Sequence, residues 1–348
     1  MGLEVTMSYN KRENYEALLA HEPVEWIPDQ VMDVKIAGGR AETWENGPLD
    51  HDGYDGFGNR WVSTVTSGGA VTPDSKVIPL DDVCDWEDKV HFPDLDAIDW
   101  EEYAAQQLAG YDSAERILEY HTWDSIFLRF THLLSFEEGL CAFYEEPEAS
   151  MALCNAITDY KIRLVGYIDK YFKPDVIIHY DDTATSKSLF MSPETYRTFI
   201  KPCHKRLNDA IRSYGILPGT HVCGYCTDII PDMIDEGSVT WQSAQPSNDI
   251  AHIIEEYGDR ISVVGGYDTQ GAPGLASATV DEVIAETTRC MEEYGKYGHS
   301  FAIFPLIVGP AGDEHITELY KNIHETAVKL GREIPATLRA EGKLPAIG

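Results

Sequence analysis

The clearest chemical feature of the chain is a histidine two positions before a cysteine, His221 and Cys223, with a second thiol at Cys226. Imidazole nitrogen and thiolate sulfur are ligands that Zn²⁺ takes in tetrahedral sites. The spacing is less specific than a double CxxC pattern, and cysteines are often buried as small apolar side chains. The sequence alone therefore leaves two interpretations open, a zinc site and a packed thiol.

A predicted strand and a predicted helix flank this group. The apolar run Gly215–Val222 predicts a strand that carries the histidine, and Thr227–Glu236 predicts the helix that follows. Polar residues follow other predicted strands in the same way. They are Asp181 and Asp182, then Gln245, then Tyr267, Asp268 and Gln270. Because barrels of parallel strands carry their active sites at the carboxyl ends of the strands, we expect these side chains at one mouth.

The adjacent carboxylates Asp181 and Asp182 are predicted to point to opposite sides of a strand end. One of them would face the site as an acid, a base or a support for a metal ligand, and the other would cap a helix or bind a backbone amide. A plainer interpretation makes both of them loop caps.

From about residue 120 onward, predicted strands alternate with predicted helices. The strands are Ser125–Phe130, Val176–Tyr180, Gly215–Val222, Val239–Ser243, Ile261–Gly265 and Ser300–Leu306. The helices are Glu145–Tyr171, Pro193–Tyr214, Thr227–Glu236, Asn248–Tyr257, Val280–Tyr294 and His315–Leu330. With one or two strands near Pro28–Val34 the count approaches eight, which favours a single (β/α)8 TIM barrel domain over residues 1–348. A doubly wound sheet is the alternative, weakened because no G-x-G-x-x-G motif opens a helix after a first strand.

The N-terminal third looks different from the rest. Residues 8–20 predict a helix with Ser8 as its N-cap. Residues from about 34 to 100 are rich in Gly, Asp and Trp, and an irregular cap is predicted over about 34–120, with hairpins near Gly53 and Arg60. The tryptophans there suit either of two roles, lining a pocket for a flat ligand or packing the cap on the body.

Composition excludes several classes of protein. The chain has 348 residues and a formal net charge of −32, which would repel a phosphate backbone and disfavours nucleic-acid binding. No apolar run reaches the ~18–20 residues that span a bilayer, and no signal-peptide pattern is present. Seven scattered cysteines, an odd number, argue against a disulfide framework and favour a reducing cytoplasmic location.

Several segments together resemble the uroporphyrinogen decarboxylase superfamily over most of residues 8–335. They are Arg12-Glu-Asn-Tyr-Glu-Ala-Leu-Leu, Tyr180-Asp-Asp182, Met191-Ser-Pro-Glu-Thr-Tyr-Arg197, His221-x-Cys-Gly224, Gly265-Gly-Tyr-Asp-Thr-Gln270 and the terminal helix Glu314–Leu330. Each segment alone is a weak signal, and together they are specific for the superfamily. The resemblance implies a distorted (β/α)8 barrel.

The superfamily holds two chemistries. True decarboxylases carry an Arg-Gln-Ala-Gly-Arg-like segment near the N-terminus that grips substrate carboxylates, whereas the corresponding residues 26–40 here lack the paired arginines. The resemblance therefore implies the other branch, the cobamide-dependent methyltransferases. Those enzymes move a methyl group between a small substrate and the cobalt of a corrinoid carried by a partner protein.

Several members of that branch hold zinc with a His-x-Cys pair and a further cysteine near the last strand. His221 and Cys223 match the pair, but the expected third position falls near Leu306-Ile307, where there is no cysteine. This departure favours an enzyme that activates an ether or an amine over one that alkylates a thiol. The candidates for the third ligand are Cys226, which we take as the prediction, His315, Asp181 and Asp182.

The resemblance implies a function and a set of roles. We expect transfer of a methyl group from a small O-methyl or N-methyl compound, as in an O-demethylase, to a corrinoid protein in trans, with zinc or acid assistance. The implied catalytic residues are Tyr180, Asp181 and Asp182, and the implied substrate-binding residues are Tyr225, Tyr267, Asp268 and Gln270. The open alternatives are a methyl-cobamide:thiol or tetrahydrofolate methyltransferase, uroporphyrinogen decarboxylase, and a non-catalytic corrinoid- or tetrapyrrole-binding protein. A homodimer is also left open.

Overall fold

A computed structural model describes residues 8–39, 42, 44–48, 51–63, 71–307, 309 and 312–347. Its strands are β1 (Lys35–Gly38), β2 (Gly53–Tyr54), β3 (Arg60–Ser63), β4 (Val71–Pro73), β5 (Leu118–Thr122), β6 (Val176–Tyr180), β7 (Leu217–His221), β8 (Thr240–Ala244), β9 (Ser262–Gly265) and β10 (Phe301–Ile303). Strands alternate with helices from β5 onward, as the sequence predicts.

The helices are α1 (Lys11–Leu19), α2 (Gln30–Asp33), α3 (Trp86–Lys89), α4 (Trp100–Gln107), α5 (Ile126–Leu134), α6 (Phe136–Glu145), α7 (Pro147–Phe172), α8 (Pro193–Thr195), α9 (Lys201–Ser213), α10 (Ile230–Glu236), α11 (Ile250–Tyr257), α12 (Val280–Gly295) and α13 (Glu314–Ala340). A π-helical turn, Tyr196–Ile200, joins α8 to α9. Within the described ranges, none of these helices combines the length and the apolar character that a membrane crossing requires.

The chain divides into two compact units. One, which we call the terminal unit, comprises Met1–Ile36, Gly110–Leu118 and Val239–Gly348. The other, the central unit, comprises Ala37–Ala109 and Glu119–Ser238. That the whole chain forms one domain stays a prediction.

The central unit is built on the parallel strands β5, β6 and β7. Tyr120 pairs with Ile177 and Tyr180 pairs with His221 in the register of these strands. All residues of β5 and β6 are buried, as expected for parallel strands that are covered on both faces. The same unit holds a small antiparallel sheet of β2, β3 and β4, in the region where the sequence predicts hairpins.

The terminal unit contains the parallel strands β8, β9 and β10, with α12 packed against α13. A glycine in the middle of α13 has a packing reason, because a Cβ at Gly331 would lie 2.7 Å from the carbonyl oxygen of Ile27. Three consecutive strands thus pair in parallel within each unit. The parallel α/β class is confirmed, whereas a closed barrel of eight strands is not confirmed by the described residues.

Three predicted boundaries are wrong. Residues 125–130 form the start of α5 and not a strand, and the preceding strand is β5, which the sequence interpretation missed. The apolar residues of α5 are buried at helical spacing, at positions 126, 127, 130, 133 and 134. Helix α1 begins after Asn10, which forms a capping box with Glu13, and not after Ser8. Helix α13 continues ten residues past the predicted end at Leu330, to Ala340.

Buried ion pairs and hydrogen bonds connect segment 37–109 to the rest of the central unit. The fully buried Arg129 of α5 donates to Asp55 at 2.8 Å, to Asn59 at 2.9 Å and to Asp124 at 3.0 Å. Its guanidinium also lies 4.0 Å from the ring centroid of Phe57. Two further buried contacts connect the same segment to the rest of the central unit. They are the ion pair of Lys161 with Glu45 and the hydrogen bond from Tyr120 to Glu42.

The tryptophans of this segment support the packing interpretation. Trp61 and Trp100 are buried, and Trp100 stacks on Tyr167 of α7 with ring centroids 5.4 Å apart. The indole N–H of Trp61 donates to Asp55 at 3.0 Å. The rings of Trp61 and Trp100 therefore pack within the central unit, together with the buried ion pairs.

Substitution of Arg129 by Ala is expected to lower the free energy of unfolding by about 3–5 kcal/mol, because it leaves Asp55 and Asp124 buried without their cation. Arg60 is the matched control, since its ion pair with Asp74 is 39% exposed on the arginine side. Replacement of Arg60 by Ala should cost about 1 kcal/mol or less. Urea denaturation of the two variants checks the difference, and equal losses would contradict the role given to Arg129.

Candidate metal site

Three side chains with metal-binding donors meet at the ends of β6 and β7. Among the described residues, the donor atoms of Asp182, His221 and Cys223 all lie within 4.8 Å of one another. The Cys223 Sγ lies 3.3 Å from His221 Nε2, and Asp182 Oδ1 lies 4.0 Å from the same nitrogen. The histidine is buried, and the other two side chains are partly exposed.

The backbone explains why these residues converge. Tyr180 and His221 are register partners, and the N–H of Asp181 donates to the His221 carbonyl at 2.9 Å, so the two strands end side by side. Gly224 then adopts φ +88°, and a Cβ there would lie 2.4 Å from the Thr185 carbonyl oxygen. Glycine lets the loop after Cys223 turn back against the loop that follows β6.

Asp181 and Asp182 point to opposite sides, as the alternation of a strand predicts. The buried carboxylate of Asp181 accepts the N–H groups of the first three residues of α5, at 2.8–3.2 Å. It also accepts a hydrogen bond from Nε2 of His204, a residue of α9, at 2.7 Å. Asp182 instead accepts the backbone N–H of Cys223 at 2.7 Å. Asp181 thus serves helix packing, and Asp182 lies with the donor group.

The imidazole of His204 is held between two carboxylates. Its Nδ1 lies 3.4 Å from Glu236, opposite the contact with Asp181. Burial alone would lower the pKa of His204, but the hydrogen bonds to Asp181 and Glu236 outweigh burial and raise it to about 10. His204 is therefore a charged member of a buried, hydrogen-bonded group.

The carboxyl group of Asp182 is easier to protonate than an ordinary aspartate. Its withdrawal from bulk water raises the pKa to about 6, with a further contribution from the charge of Asp181 and against the lowering effect of the Cys223 N–H. A carboxyl with this pKa is partly protonated near neutral pH. It is equally placed to act as a metal ligand, since its oxygen lies with the nitrogen and the sulfur of the group.

The Tyr180 side chain makes two contacts beside the donor group. Its ring stacks on the ring of His221, with centroids 3.8 Å apart and planes 15° apart. Its hydroxyl bonds to Nδ1 of His121 at 2.8 Å. The face of the tyrosine ring therefore contacts His221.

Two other predicted residues of this loop have different surroundings. Cys226 is fully buried, is not a member of the group of three donors, and has its pKa raised by burial. Tyr225 donates its backbone N–H to the Thr185 carbonyl at 2.7 Å, and the residue is partly exposed.

The remaining predicted residues lie in the terminal unit. The Tyr267 hydroxyl donates to the Pro273 carbonyl at 2.9 Å. Asp268 closes a turn by accepting the N–H of exposed Gln270 at 3.1 Å. His315, one of the alternatives for a third ligand, bonds to the Ala278 carbonyl at 2.8 Å. In their own unit, Tyr267, Asp268 and His315 thus have local structural partners.

The donor group fits zinc. Ligands held at 2.0–2.3 Å in a tetrahedral site are separated from one another by about 3.3–3.8 Å. The separations of 3.3 and 4.0 Å around His221 Nε2 are close to those values. One carboxylate, one imidazole and one thiol would supply three ligands, the number of protein ligands in catalytic zinc sites.

Sequence reasoning missed the contribution of β5. Glu119 and His121 lie within that strand and Trp123 directly follows it, and the His121 side chain bonds to Tyr180. The stretch was overlooked because the apolar run of α5 directly after it resembles a strand. The alternation of polar Glu119 and His121 with Leu118 and Tyr120 was the available signal.

The chain belongs to the uroporphyrinogen decarboxylase family. The model of that family, described as uroporphyrinogen decarboxylase (URO-D), matches residues 125–325, which include Asp182, His221 and Cys223. The resemblance inferred from the sequence motifs is thereby confirmed.

The relatives of the chain include methyltransferases from methanogens. The methylcobamide:CoM methyltransferase MtaA of Methanosarcina barkeri is 25% identical over 145 residues, or 42% of this chain and 37% of that protein. The methylated-thiol–coenzyme M methyltransferase of Methanosarcina mazei is 25% identical over 146 residues, with the same coverage. The matches thus span little more than a third of each relative's length.

A solved structure shares the fold over nearly the whole chain. It is a methyltransferase from Methanosarcina mazei, with a TM-score of 0.62 and 16% sequence identity, and the similarity covers 91% of this chain and 99% of that one.

The two neighbouring aspartates should respond differently to the same substitution. Asp181→Asn places an amide against three backbone donors and His204, so it should lower the free energy of unfolding by about 3–5 kcal/mol. Asp182→Asn retains an oxygen for the Cys223 N–H and should cost about 1 kcal/mol or less, while it weakens zinc binding. Urea denaturation and zinc titration check the pair. A large stability loss in Asp182→Asn alone would reverse the assignment.

The charged state of His204 predicts a pH dependence of stability. Its pKa is about 10 in the folded protein and ~6.5 when unfolded. The stabilisation is therefore complete below pH ~6.5 and is lost as the pH rises towards 10. The difference in unfolding free energy between the wild type and His204→Gln should be largest near pH 6 and should shrink towards pH 10. A difference that grows with pH would show that His204 is neutral in the folded protein.

Proposed function

We propose that the chain is a corrinoid-dependent methyltransferase that moves a methyl group from a small O-methyl or N-methyl compound to the cobalt of a corrinoid on a separate protein. The observation that carries the proposal is the donor group Asp182, His221 and Cys223, at the carboxyl ends of two parallel strands in a chain of this family. The names of the two methanogen relatives support the reaction class.

We propose Asp182, His221 and Cys223 as the zinc ligands, with Asp182 in the third place that the sequence prediction gave to Cys226. When bound, zinc would supply a Lewis acid that withdraws electrons from the leaving oxygen or nitrogen of the methyl donor. The three side chains would hold the leaving atom close to the loop that follows β7. The stack with Tyr180 keeps the His221 ring in one plane.

Acid assistance is the second way in which the site can improve the leaving group. An alkoxide or amide anion leaves poorly, and a proton delivered to that atom removes the difficulty. Asp182 is the residue for this role when it does not bind zinc, because its pKa of about 6 in the metal-free site leaves part of the population protonated near neutral pH. A carboxylate bound to zinc holds no proton, so the two roles of Asp182 are alternatives. Asp181 is committed to helix α5 and to His204, so we assign it no proton transfer.

The other predicted roles continue as parts of the proposal. We propose that Tyr225, Tyr267, Asp268 and Gln270 contact the substrate when it is bound, and that Tyr180 acts by orienting a ligand. We further propose a closed (β/α)8 barrel, a cytoplasmic location, and docking of the corrinoid protein at the strand ends. The net charge of −32 would favour a partner with a basic rim.

Transfer of methyl between a corrinoid and a thiol is the second candidate. The observation that favours it is that both relatives are named for coenzyme M and one for a methylated thiol. In that reaction the zinc site would bind the sulfur and stabilise it as a thiolate. The third donor distinguishes the candidates, because a carboxylate at Asp182 makes a less electron-rich site than a second cysteine would.

The test is methyl transfer to reduced free cobalamin, followed by the visible spectrum of the corrinoid. We expect activity with at least one methyl ether or methylamine, loss after chelation, and recovery with added zinc. His221→Ala should abolish transfer without loss of fold, because the residue lies at a strand end. Asp182→Asn should lower kcat more than it raises KM if its carboxyl delivers a proton.

Three outcomes would redirect the proposal. Activity only with methylated thiols would select the second candidate. Decarboxylation of uroporphyrinogen without methyl transfer would select the other chemistry of the superfamily. Tight corrinoid binding with no turnover of any donor would indicate a binding protein.

A further inference from the structure

Three aromatic rings from neighbouring strand ends stack beside the donor group. Trp123 follows β5, Tyr180 ends β6 and His221 ends β7. The centroid distances are 4.6 Å from Trp123 to Tyr180 and 3.8 Å from Tyr180 to His221, with planes 20° and 15° apart. Because β6 lies between β5 and β7, the ring of Tyr180 lies between the other two rings.

A chain of hydrogen bonds holds the central ring of this stack. The Tyr180 hydroxyl lies 2.8 Å from His121 Nδ1, and His121 Nε2 lies 3.1 Å from Glu119 Oε2. A carboxylate accepts only, so it takes the Nε2 proton and leaves Nδ1 to accept the tyrosine hydroxyl. Glu119 and His121 are almost fully buried, so water competes little for these bonds.

The positions of Glu119 and His121 in β5 explain how their side chains reach Tyr180. They are two residues apart on β5 and therefore share one face of the strand. The intervening Tyr120 points the other way and bonds to Glu42. The face that carries the pair is thus the face on which Tyr180 meets His221.

We propose that Glu119 and His121 are positioning residues for zinc, which act through the ring of Tyr180 to set the plane of His221. A histidine ligand rotates about its Cβ–Cγ bond unless its ring is held, and stacking against an anchored ring holds it. The held ring directs Nε2 towards Cys223 Sγ and Asp182 Oδ1. Residues that orient a metal ligand typically change metal affinity by about 10–100-fold when they are removed. The inference rests on the metal site of the proposed function.

The test is the zinc dissociation constant, measured on the full chain by competition with a chromophoric chelator. His121→Leu removes the anchor, and Tyr180→Phe keeps the ring but removes its hydroxyl. Both should raise the dissociation constant about tenfold or more. His121→Gln can accept from the tyrosine and donate to Glu119, so it should restore most of the affinity.

A matched control separates positioning from general stability. His179 precedes Tyr180 in β6, is equally buried, and bonds to Thr220 on the opposite side of the strand. His179→Leu should lower the melting temperature and leave the zinc dissociation constant within about twofold. Co²⁺ provides a second readout, since the thiolate-to-metal absorption band should shift in His121→Leu and not in His179→Leu.

The possible outcomes distinguish this inference from the proposed function. An unchanged zinc affinity in His121→Leu and Tyr180→Phe would overturn the inference and leave the methyl transfer proposal standing. Weakened zinc affinity in a protein that transfers no methyl group would support the inference and remove the proposed function. A wild-type protein that binds no zinc would overturn both the inference and the metal part of the proposal.

Discussion

The buried carboxylate of Asp181 is the contact on which the geometry of the candidate site depends. It accepts three backbone N–H groups at the start of α5 and the imidazole of His204 from α9. It thereby joins the end of β6 to two helices of the central unit. Because adjacent residues at a strand end face opposite sides, this anchorage also determines which way Asp182 points.

Several charged side chains lie in the interior of the central unit, and their removal from water opposes folding. Buried charges are tolerated when they are paired and hydrogen-bonded, and Arg129, Lys161 and His204 are each bound to carboxylates. Lys161 also donates to the carbonyl of Trp123 at 2.7 Å, one residue past β5. The network therefore connects segment 37–109 to the backbone that carries the aromatic stack.

The chemistry open to the site follows from its three donors. A carboxylate in place of a second thiolate gives a bound metal less electron density, which suits a Lewis acid better than a thiolate carrier. The names of the methanogen relatives refer to coenzyme M and a methylated thiol, whereas we propose an ether or an amine as the methyl donor of this chain on the basis of its donor set. Under the proposed function, the choice of methyl donor is the property in which this chain would differ from those relatives.

Local patterns in the sequence were sufficient for much of the fold. Five of the six predicted strands after residue 120 coincide with β6 to β10, because short apolar runs between long helices have few other structures available. The exception, 125–130, forms a helix whose first N–H groups are satisfied by Asp181, more than 50 residues away. No local signal could have shown that capping contact.

The candidate site divides in the same way. The sequence by itself determined that His221 and Cys223 lie at a strand end, because the spacing and the preceding apolar run are local properties. Only the tertiary structure decided that Asp182, and neither Asp181 nor Cys226, completes the group, because that choice depends on the register of β6 with β7 and on what each side chain meets across the sheet. The same register stacks Tyr180 on His221, a contact between residues 41 positions apart that no spacing in the sequence encodes.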